Sequence, residues 1–223
     1  MIGVFDSGRG GVMVARELLS LSPSTDLLLL SDRKNLPYGI KTDAELLPIV
    51  KENIKRLRDS GADAVLIGCC TASSIYTRLI SPVATVIPII VPTARRAAEI
   101  TDGKICVIAT ASTVRSHAFA KAISLYCSAE IHEFAVGELV GITEGIVDRA
   151  PTKEEIKRIK KALTPVIMSG ADTLVLGCTH FPIISELISK TVGEMRIVSC
   201  AKEGAMAALA YAARGQGRII YTE

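Results

Sequence analysis

A ten-residue pattern that occurs twice constrains the fold of this chain more than any other feature. It consists of Ser-Gly-Ala-Asp, a four-residue apolar run and then Gly-Cys, and it covers residues 60–69 and 169–178. Its first residues are typical of the end of a helix, and the apolar run predicts a strand that is buried on both faces of a parallel sheet. Because Cys69 and Cys178 are 109 residues apart, we expect two halves of similar fold.

Polar side chains follow the predicted strands in both halves. In the first half Asp6 and Ser7 follow a short apolar run, and in the second half Thr110 follows another. Ligands of open α/β sheets bind at the carboxyl ends of the strands. Each half therefore presents a thiol and a hydroxyl at the edge of a sheet where a ligand would bind.

The chain has the length of two domains of about 100 residues. Prolines punctuate residues 81–92 and indicate a crossover between the halves. We predict an α/β fold of two pseudo-symmetric domains, each with a parallel-type sheet flanked by helices. The first domain would comprise residues 1–92 and 201–223, and the second would comprise residues 93–200.

Local signals predict several individual elements. Thr42 and Thr152 each precede a glutamate by three residues, which is the capping box that begins a helix. We also expect a strand over 85–90, a helix from Thr93 and a terminal helix over 202–214.

Composition excludes several classes of function. The net charge is only +3, without long runs of like charge, so we expect neither a nucleic acid nor a membrane surface as a partner. No apolar run approaches 18 residues, and no signal peptide is evident at the N-terminus, so we expect a cytoplasmic protein. Six cysteines in such a protein are expected to be free thiols.

Two matched thiols suit one reaction in particular. Inverting a stereocentre by proton transfer requires a base on one face of a carbon and an acid on the other, and the two roles exchange in the reverse direction. Cys69 and Cys178 meet this requirement, because a cationic neighbour or a helix N-terminus can bring a thiolate within reach near neutral pH. Asp6 and His180 would then assist the thiols. Short hydroxyl side chains at the strand ends would hold an amino acid: Ser7, Thr71, Thr110, Thr113 and Thr179.

Three other interpretations are open. Cys69, Cys70, Cys178 and His180 could bind zinc by residue type, although the usual spacing of two cysteines is missing. One cysteine could be a nucleophile with His180 as its base, but the second matched cysteine would then have no role. Buried structural cysteines are common, but this explanation is weaker for two thiols that each follow a glycine at a strand end.

The motifs together closely resemble those of the glutamate racemases, in the cofactor-independent aspartate/glutamate racemase superfamily. The match is collinear from about residue 2 to residue 205. It rests on Phe5-Asp6-Ser7-Gly8 with Gly10-Gly11, Pro37-Tyr38-Gly39, Cys69 with Thr71-Ala72-Ser73, Thr110 with Thr113-Val114-Arg115-Ser116, and Gly177-Cys178-Thr179-His180.

The resemblance implies an active site in the cleft between two α/β domains and reversible conversion of L-glutamate to D-glutamate, without pyridoxal phosphate or a metal. It implies that Cys69 acts on the D enantiomer and Cys178 on the L enantiomer, with Asp6 and His180 assisting. It also implies a role in peptidoglycan synthesis and allows a homodimer. The substrate would be lined by Ser7, Pro37, Tyr38, Gly39, Cys70, Thr71, Thr110, Thr113 and Thr179.

The chain also departs from the family pattern. Cys70 stands where the family has an asparagine, and Arg9 stands where it usually has an apolar residue. The acid that the family carries after its Pro-rich strand is matched most nearly by Glu138, and the chain stops earlier than some family members. Two alternatives therefore stay open: a racemase for aspartate or another amino acid, and a weakly active or non-catalytic binding protein with a racemase fold.

Overall fold

The computed structural model describes residues 1–83 and 85–222, which contain two parallel β-sheets flanked by helices. The first sheet has the strand order β4-β3-β1-β2-β9 and the second the order β6-β5-β7-β8. All of the described strand pairs are parallel, which confirms the predicted α/β class. The strands are β1 (Ile2–Asp6), β2 (Leu27–Ser31), β3 (Ala64–Ile67), β4 (Val86–Pro88), β5 (Lys104–Ala109), β6 (Glu130–Ala135), β7 (Thr173–Gly177), β8 (Arg196–Ser199) and β9 (Ile219–Thr222).

Helices connect these strands and cover the faces of the sheets. Short 3-10 turns also lie at Arg33–Asn35, Tyr38–Ile40, Phe181–Ile184 and Leu209–Tyr211. The α-helices are α1 (Gly10–Leu21), α2 (Asp43–Asp59), α3 (Cys70–Leu79), α4 (Ile90–Ile100), α5 (Ala111–Ser116), α6 (Ala118–Ile123), α7 (Glu138–Gly145), α8 (Lys153–Met168), α9 (Ser185–Val192) and α10 (Cys200–Ala208).

The two copies of the repeated pattern occupy equivalent places in the two sheets. The apolar runs form β3 and β7, and every residue of both strands is buried. β3 pairs with β1, the first strand of its half, and β7 pairs with β5, the first strand of the other half. The pseudo-symmetry predicted from the repeat is therefore confirmed, with β9 as an additional edge strand in the first sheet.

The helix starts that the capping boxes predicted are also confirmed. Thr42 caps α2 and Thr152 caps α8, and in both cases the glutamate three residues later bonds back to the backbone of the cap. These reciprocal bonds satisfy amide groups at the helix start that have no partner within the helix.

Other boundaries differ from the sequence prediction. β4 covers only Val86–Pro88 of the strand expected over 85–90, residue 84 lies outside the described residues, and α4 begins at Ile90 rather than at Thr93. Pro92 is thus in the first turn of α4, where its missing N–H removes no helical hydrogen bond. The terminal helix is α10, which ends at Ala208 and not near residue 214.

The strand β9 was not predicted from the sequence. It pairs in parallel with β2, and Asp26 fixes the chain just before it. The carboxylate of Asp26 accepts the backbone N–H groups of Gln216 and Arg218 and lies 2.9 Å from Nη2 of Arg218. The hydrogen bond from the Arg218 side chain lowers the pKa of Asp26 well below its usual range.

One apolar core joins the two halves. Buried side chains of α1, α4, α6 and α10 belong to it, among them Leu18, Ala94, Phe119 and Ala205. This core crosses the boundaries placed at residues 92 and 200, so the division into domains stays a prediction. None of the helices in the described part of the chain has the length and hydropathy required to cross a lipid bilayer.

Candidate active site

Both repeated cysteines line one cavity of about 400 Å³ between the two halves. Cys69 follows β3 and Cys178 follows β7, so the carboxyl ends of equivalent strands bring the thiols to the same cavity. A larger groove of about 790 Å³ at the β9 edge of the first sheet contains neither thiol. Of the residues predicted for the site, those that line the 400 Å³ cavity are Ser7, Pro37, Tyr38, Gly39, Cys69, Cys70, Thr71, Thr110, Cys178, Thr179 and His180.

Glycine is required at the end of β7, just before the second thiol. A Cβ atom on Gly177 would come within 2.8 Å of the carbonyl oxygen of Ile108 and of the Phe119 ring. The missing side chain lets β7 lie close to β5 and to the helix behind it. The repeated Gly-Cys of the second half is thus explained by packing as well as by access to the cavity.

The thiol of Cys69 lies beside a hydroxyl and close to a carboxylate. The Sγ atom is 3.6 Å from Oγ of Ser7, and the residue is 6% exposed. Burial, and after it the negative charge of Asp6, raise the pKa of Cys69 to about 12. Cys69 is therefore a neutral thiol at neutral pH, which makes it a proton donor to a ligand in the cavity.

Asp6 is fully buried and does not line the cavity itself. Its carboxylate accepts the N–H of Gly8 at 2.7 Å and the hydroxyl of Thr179 at 2.9 Å. Burial raises the pKa of Asp6, although the charge of His180 and these hydrogen bonds oppose the rise. Because Thr179 belongs to the other half, Asp6 connects the two halves directly behind the thiols.

The thiol of Cys178 lies beside an imidazole. Nδ1 of His180 is 3.6 Å from Sγ of Cys178, and Nε2 is 2.6 Å from Oε1 of Glu144. Burial on its own would lower the pKa of His180, but the hydrogen bonds to Cys178 and Glu144 raise it, for a net value of about 11. His180 is therefore an imidazolium at neutral pH, donating one N–H toward each neighbour.

The carboxylate that contacts His180 belongs to Glu144, which was not predicted from the sequence. Glu138, the nearest match found in the sequence, is exposed at the start of α7, whereas Glu144 in the last turn of that helix lines the cavity. The hydrogen bond from His180 lowers the pKa of Glu144, and Arg9 adds to this effect. The sequence placed an acid on the correct helix but not on the side that faces the cleft.

Arg9 contacts the same acid from the first half of the chain. Its backbone N–H lies 3.3 Å from Oε1 of Glu144, and its Nε atom is 3.5 Å from Oε2. Its Nη1 atom is also 3.5 Å from Asp148. The cation that departs from the family pattern thus forms an ion pair across the cleft, from the first half to α7.

Three threonines form a cluster of hydroxyls at another part of the cavity, and two of them, Thr71 and Thr110, line it. Thr71 Oγ1 lies 3.0 Å from that of Thr110 and 3.3 Å from that of Thr113. Thr110 also caps α5 by accepting the backbone N–H of Thr113. Thr113 is fully buried behind the cavity wall, so it positions the other two hydroxyls.

The Pro37-Tyr38-Gly39 segment forms part of the wall. The hydroxyl of Tyr38 donates to Asp32 at 2.5 Å and accepts Nδ2 of Asn53 at 3.1 Å. Tyr38 lines the cavity, while its hydroxyl is bonded to two residues that do not line it. Gly39 lies so close to the second half that a Cβ atom there would be 3.0 Å from Cβ of Thr110.

Cys70 lines the cavity but is also part of the apolar core. It is 2% exposed, and its thiol interacts with that of the fully buried Cys200. Burial, followed by this contact, raises the pKa of Cys70 well above its usual range. Within residues 1–83 and 85–222, no three His, Cys, Asp or Glu side chains are arranged to hold a metal ion, so the zinc interpretation finds no support in the geometry.

Comparison with known protein families shows which family has a chain like this one. The model of the family described as Asp/Glu/Hydantoin racemase matches residues 14–208. The chain belongs to the Asp/Glu/hydantoin racemase family. A curated glutamate racemase from Gloeobacter violaceus is 36% identical over 191 residues, which cover 84% of this chain and 71% of that protein.

Solved structures of family members have the same fold. A glutamate racemase isoform from Bacillus anthracis superposes with a TM-score of 0.88 at 32% identity, covering 95% of this chain and 80% of that one. A glutamate racemase from Francisella tularensis, solved in complex with D-glutamate, gives a TM-score of 0.83 at 29% identity, with 94% and 80% covered. The family membership and the two-sheet architecture are thus supported independently.

Proposed function

We propose that this chain is a glutamate racemase that interconverts L-glutamate and D-glutamate with Cys69 and Cys178 as the two acid/base groups. The observation that carries the proposal is the approach of two thiols from equivalent strands to one small cavity. Two of its curated relatives, which are 36% and 38% identical to this chain, are named glutamate racemases, and this supports glutamate as the substrate.

In this mechanism the two thiols exchange roles with the direction of reaction. Starting from L-glutamate, the thiolate of Cys178 removes the proton from Cα, and the thiol of Cys69 donates a proton to the opposite face. The electron pair left on Cα is shared with the substrate carboxylate until that proton arrives. The reaction ends with Cys178 as a thiol and Cys69 as a thiolate, which is the starting state for D-glutamate.

The surrounding residues fit these roles. The high pKa of Cys69 suits a group that must hold a proton until the carbanion forms. His180, held by Glu144, places a positive charge beside Cys178 when that sulfur is a thiolate. Asp6 and Ser7 act on Cys69 through its charge and its hydrogen bond, respectively.

The remaining polar groups would hold the substrate in place. The hydroxyls of Ser7, Thr71, Thr110 and Thr179 line the cavity, and the amino end of α3 lies beside Cys69. Hydroxyls bind both ammonium and carboxylate groups, and a helix amino end favours a carboxylate. We assign the α-amino and α-carboxyl groups of glutamate to this end, with Thr113 as a supporting residue.

The broader role follows from the same assignment. D-Glutamate is a peptidoglycan precursor in the family that the sequence resembles, so we propose a function in cell-wall synthesis in the cytoplasm. We further propose the two-domain division at residues 92 and 200, and a homodimer as the assembled form.

Solvent exchange tests the function directly. The chain is incubated with L-glutamate in D₂O, and the Cα proton is followed by NMR while optical rotation is followed by polarimetry. We expect deuterium at Cα together with decay of the rotation to zero. Absence of exchange would indicate a binding protein with a racemase fold instead of an enzyme. A panel of enantiopure amino acids tests the substrate, and faster racemisation of aspartate would identify aspartate as the substrate in place of glutamate.

A further inference from the structure

A second, smaller cavity of about 240 Å³ lies next to the proposed substrate cavity. The two are adjacent along the chain, because Ile40 and Ala111 line the substrate cavity and the next residues, Lys41 and Ser112, line the smaller one. Residues from both halves of the chain contribute to it. The full lining is Lys41, Thr42, Asp43, Arg78, Ser112, Arg115 and Ser116.

Positive charge is in excess around this cavity. Of its four charged residues only Asp43 is acidic, and its carboxylate is taken by Arg78 in a bidentate pair at 2.8 and 3.0 Å. That hydrogen-bonded pair lowers the pKa of Asp43, so the carboxylate stays ionised. In residues 1–83 and 85–222, the side chains of Lys41 and Arg115 have no hydrogen bond or ion pair, so neither cation has a bonded carboxylate. At longer range the charge of Arg115 acts on Asp43, and the charge of Lys41 acts on Glu45.

A serine hydroxyl without a partner lies in the same wall. Ser112 is 5% exposed and lines the cavity, yet its hydroxyl makes no hydrogen bond with any part of the chain that the structure describes. Ser116, one turn later, donates its hydroxyl to the carbonyl oxygen of Thr113. The hydroxyl oxygen of Ser112 is not itself buried from solvent, so it is free to bond an oxygen atom of a ligand in the cavity.

We propose that this cavity binds a phosphate group, as free phosphate or as the phosphoryl group of a small monoester. Near neutral pH a phosphate monoester carries a charge close to −2, which matches the two cations that have no bonded carboxylate. Its several oxygens accept hydrogen bonds from Lys41, Arg115 and Ser112 at the same time. Hydrogen bonds from cationic side chains to phosphate are charge-assisted and therefore strong. The bound group would join the segment before α2 to α5, and so connect the two halves beside the substrate.

Binding is tested without any need for turnover, so failure of this proposal is distinct from failure of the racemase assignment. Inorganic phosphate is titrated into the ¹⁵N-labelled protein at constant ionic strength, with chloride as the replaced anion. We expect saturable amide shifts at residues 41–43 and 112–116, with a dissociation constant on the order of 1 mM. A parallel titration with glycerol phosphate distinguishes the two sources, because tighter binding of the ester identifies a phosphoryl group of a larger molecule.

Variants locate the site. The double variant K41M/R115M should weaken phosphate binding at least about tenfold, and Ser112→Ala should weaken it a few-fold. K153M/K157M removes the same charge from the exposed face of α8 and should leave binding unchanged. The same amide spectra report whether each variant is folded.

Three outcomes would overturn the proposal. The first is the absence of saturable shifts in the wild-type chain. The second is equal weakening in K41M/R115M and K153M/K157M, which would mean that phosphate responds to net charge alone. The third is a set of shifts confined to the substrate cavity around Thr71 and Thr179.

Discussion

The two thiols occupy equivalent places in the fold but have different neighbours. Cys69 has a hydroxyl at 3.6 Å and the buried carboxylate of Asp6 behind it. Cys178 has the imidazole of His180 at the same distance of 3.6 Å. Backbone pseudo-symmetry is thus combined with opposite electrostatics, since negative charge acts on one sulfur and positive charge is next to the other.

This difference indicates how a symmetric reaction starts from an asymmetric resting state. Before any substrate arrives, Cys69 holds its proton and the imidazolium faces Cys178, which under the proposed mechanism favours one direction of proton transfer. The equilibrium constant between two enantiomers is one, so kcat/KM must be equal in both directions. The asymmetry can therefore appear only in kcat and KM taken separately, and in the response to pH.

Replacing either thiol should have the largest effect. In Cys69→Ser or Cys178→Ser the hydroxyl is a far weaker acid than the thiol, so we expect racemisation to fall roughly 10²–10⁴-fold. Each variant keeps one thiol and should still exchange the Cα proton of one enantiomer: D-glutamate in Cys178→Ser and L-glutamate in Cys69→Ser. The rates are measured by polarimetry and by NMR in D₂O.

Cys127→Ser is the matched control, because Cys127 lies outside the cavity and is only partly buried. It should racemise at the wild-type rate. Full turnover in both active-site variants would contradict the two-base assignment, and exchange of both enantiomers in each variant would contradict the assignment of faces.

Glu144→Gln should act through His180 on Cys178, and it should lower kcat/KM equally for both enantiomers. The substitution removes the carboxylate that bonds to His180 and with it a charge-assisted hydrogen bond. We therefore expect kcat/KM to fall roughly 10–100-fold. The pKa of His180 should drop from about 11, so the alkaline limb of the pH profile moves to lower pH. Glu138→Gln removes an exposed acid of the same helix and should change neither the rate nor the profile.

The raised pKa of His180 also affects the stability of the fold. Because this pKa is higher in the folded chain than the ordinary histidine value of 6.5, protonation of His180 stabilises the fold fully below that pH. This contribution is lost as the pH rises from 6.5 toward about 11. In Glu144→Gln the loss should be complete at a lower pH, which urea unfolding over that range would measure.

Asp6→Asn should change stability through a carboxyl group instead of an imidazole. Burial raises the pKa of Asp6, so the folded chain binds a proton more tightly than the unfolded chain, and stability falls as the pH rises through the interval between the two pKa values. The variant has no such loss, and its amide can accept from Gly8 and donate to Thr179.

Urea unfolding at a series of pH values, from below the ordinary carboxyl value of 3.8 up to pH 8, checks this expectation. The stability of Asp6→Asn relative to wild type should increase as the pH rises through the series, while racemisation falls because Cys69 loses its charged neighbour. A stability difference that is the same at every pH would contradict a raised pKa for Asp6.

The fold was predictable where local signals and repetition agree. The repeated pattern led to β3 and β7, and the capping boxes located the starts of α2 and α8, because each depends on residues close together in the chain. β9 was not predictable, since it rests on contacts between Asp26 and residues about 190 positions later. A four-residue strand carries too little pattern of its own to be recognised.

Among the residues of the site, too, those with a local signal in the sequence were predictable and the others were not. The polar residues after strands were found because the end of a parallel strand fixes where a side chain goes. Glu144 was missed because the face that α7 turns to the cleft is set by tertiary packing and not by its own residues. The contact of Cys70 with Cys200 likewise joins helices from distant parts of the chain, so a residue that the sequence assigned to the substrate or to zinc also belongs to the core.

Arg9 offers the smallest and most specific test of the comparison. Its cation forms an ion pair with Glu144, so it opposes the negative charge that keeps His180 protonated. In Arg9→Met the pKa of His180 should rise, whereas in Asp148→Asn the guanidinium is left to Glu144 and that pKa should fall. The Arg9 side chain is 41% exposed, so solvent weakens its ion pair. Each shift of the alkaline limb of the pH profile should therefore be only a few tenths of a pH unit. High salt should remove both, because it screens exposed charges. Shifts in the same direction would show that the two residues act through the packing of α7, and that the electrostatic difference between the two thiols does not extend to the surface.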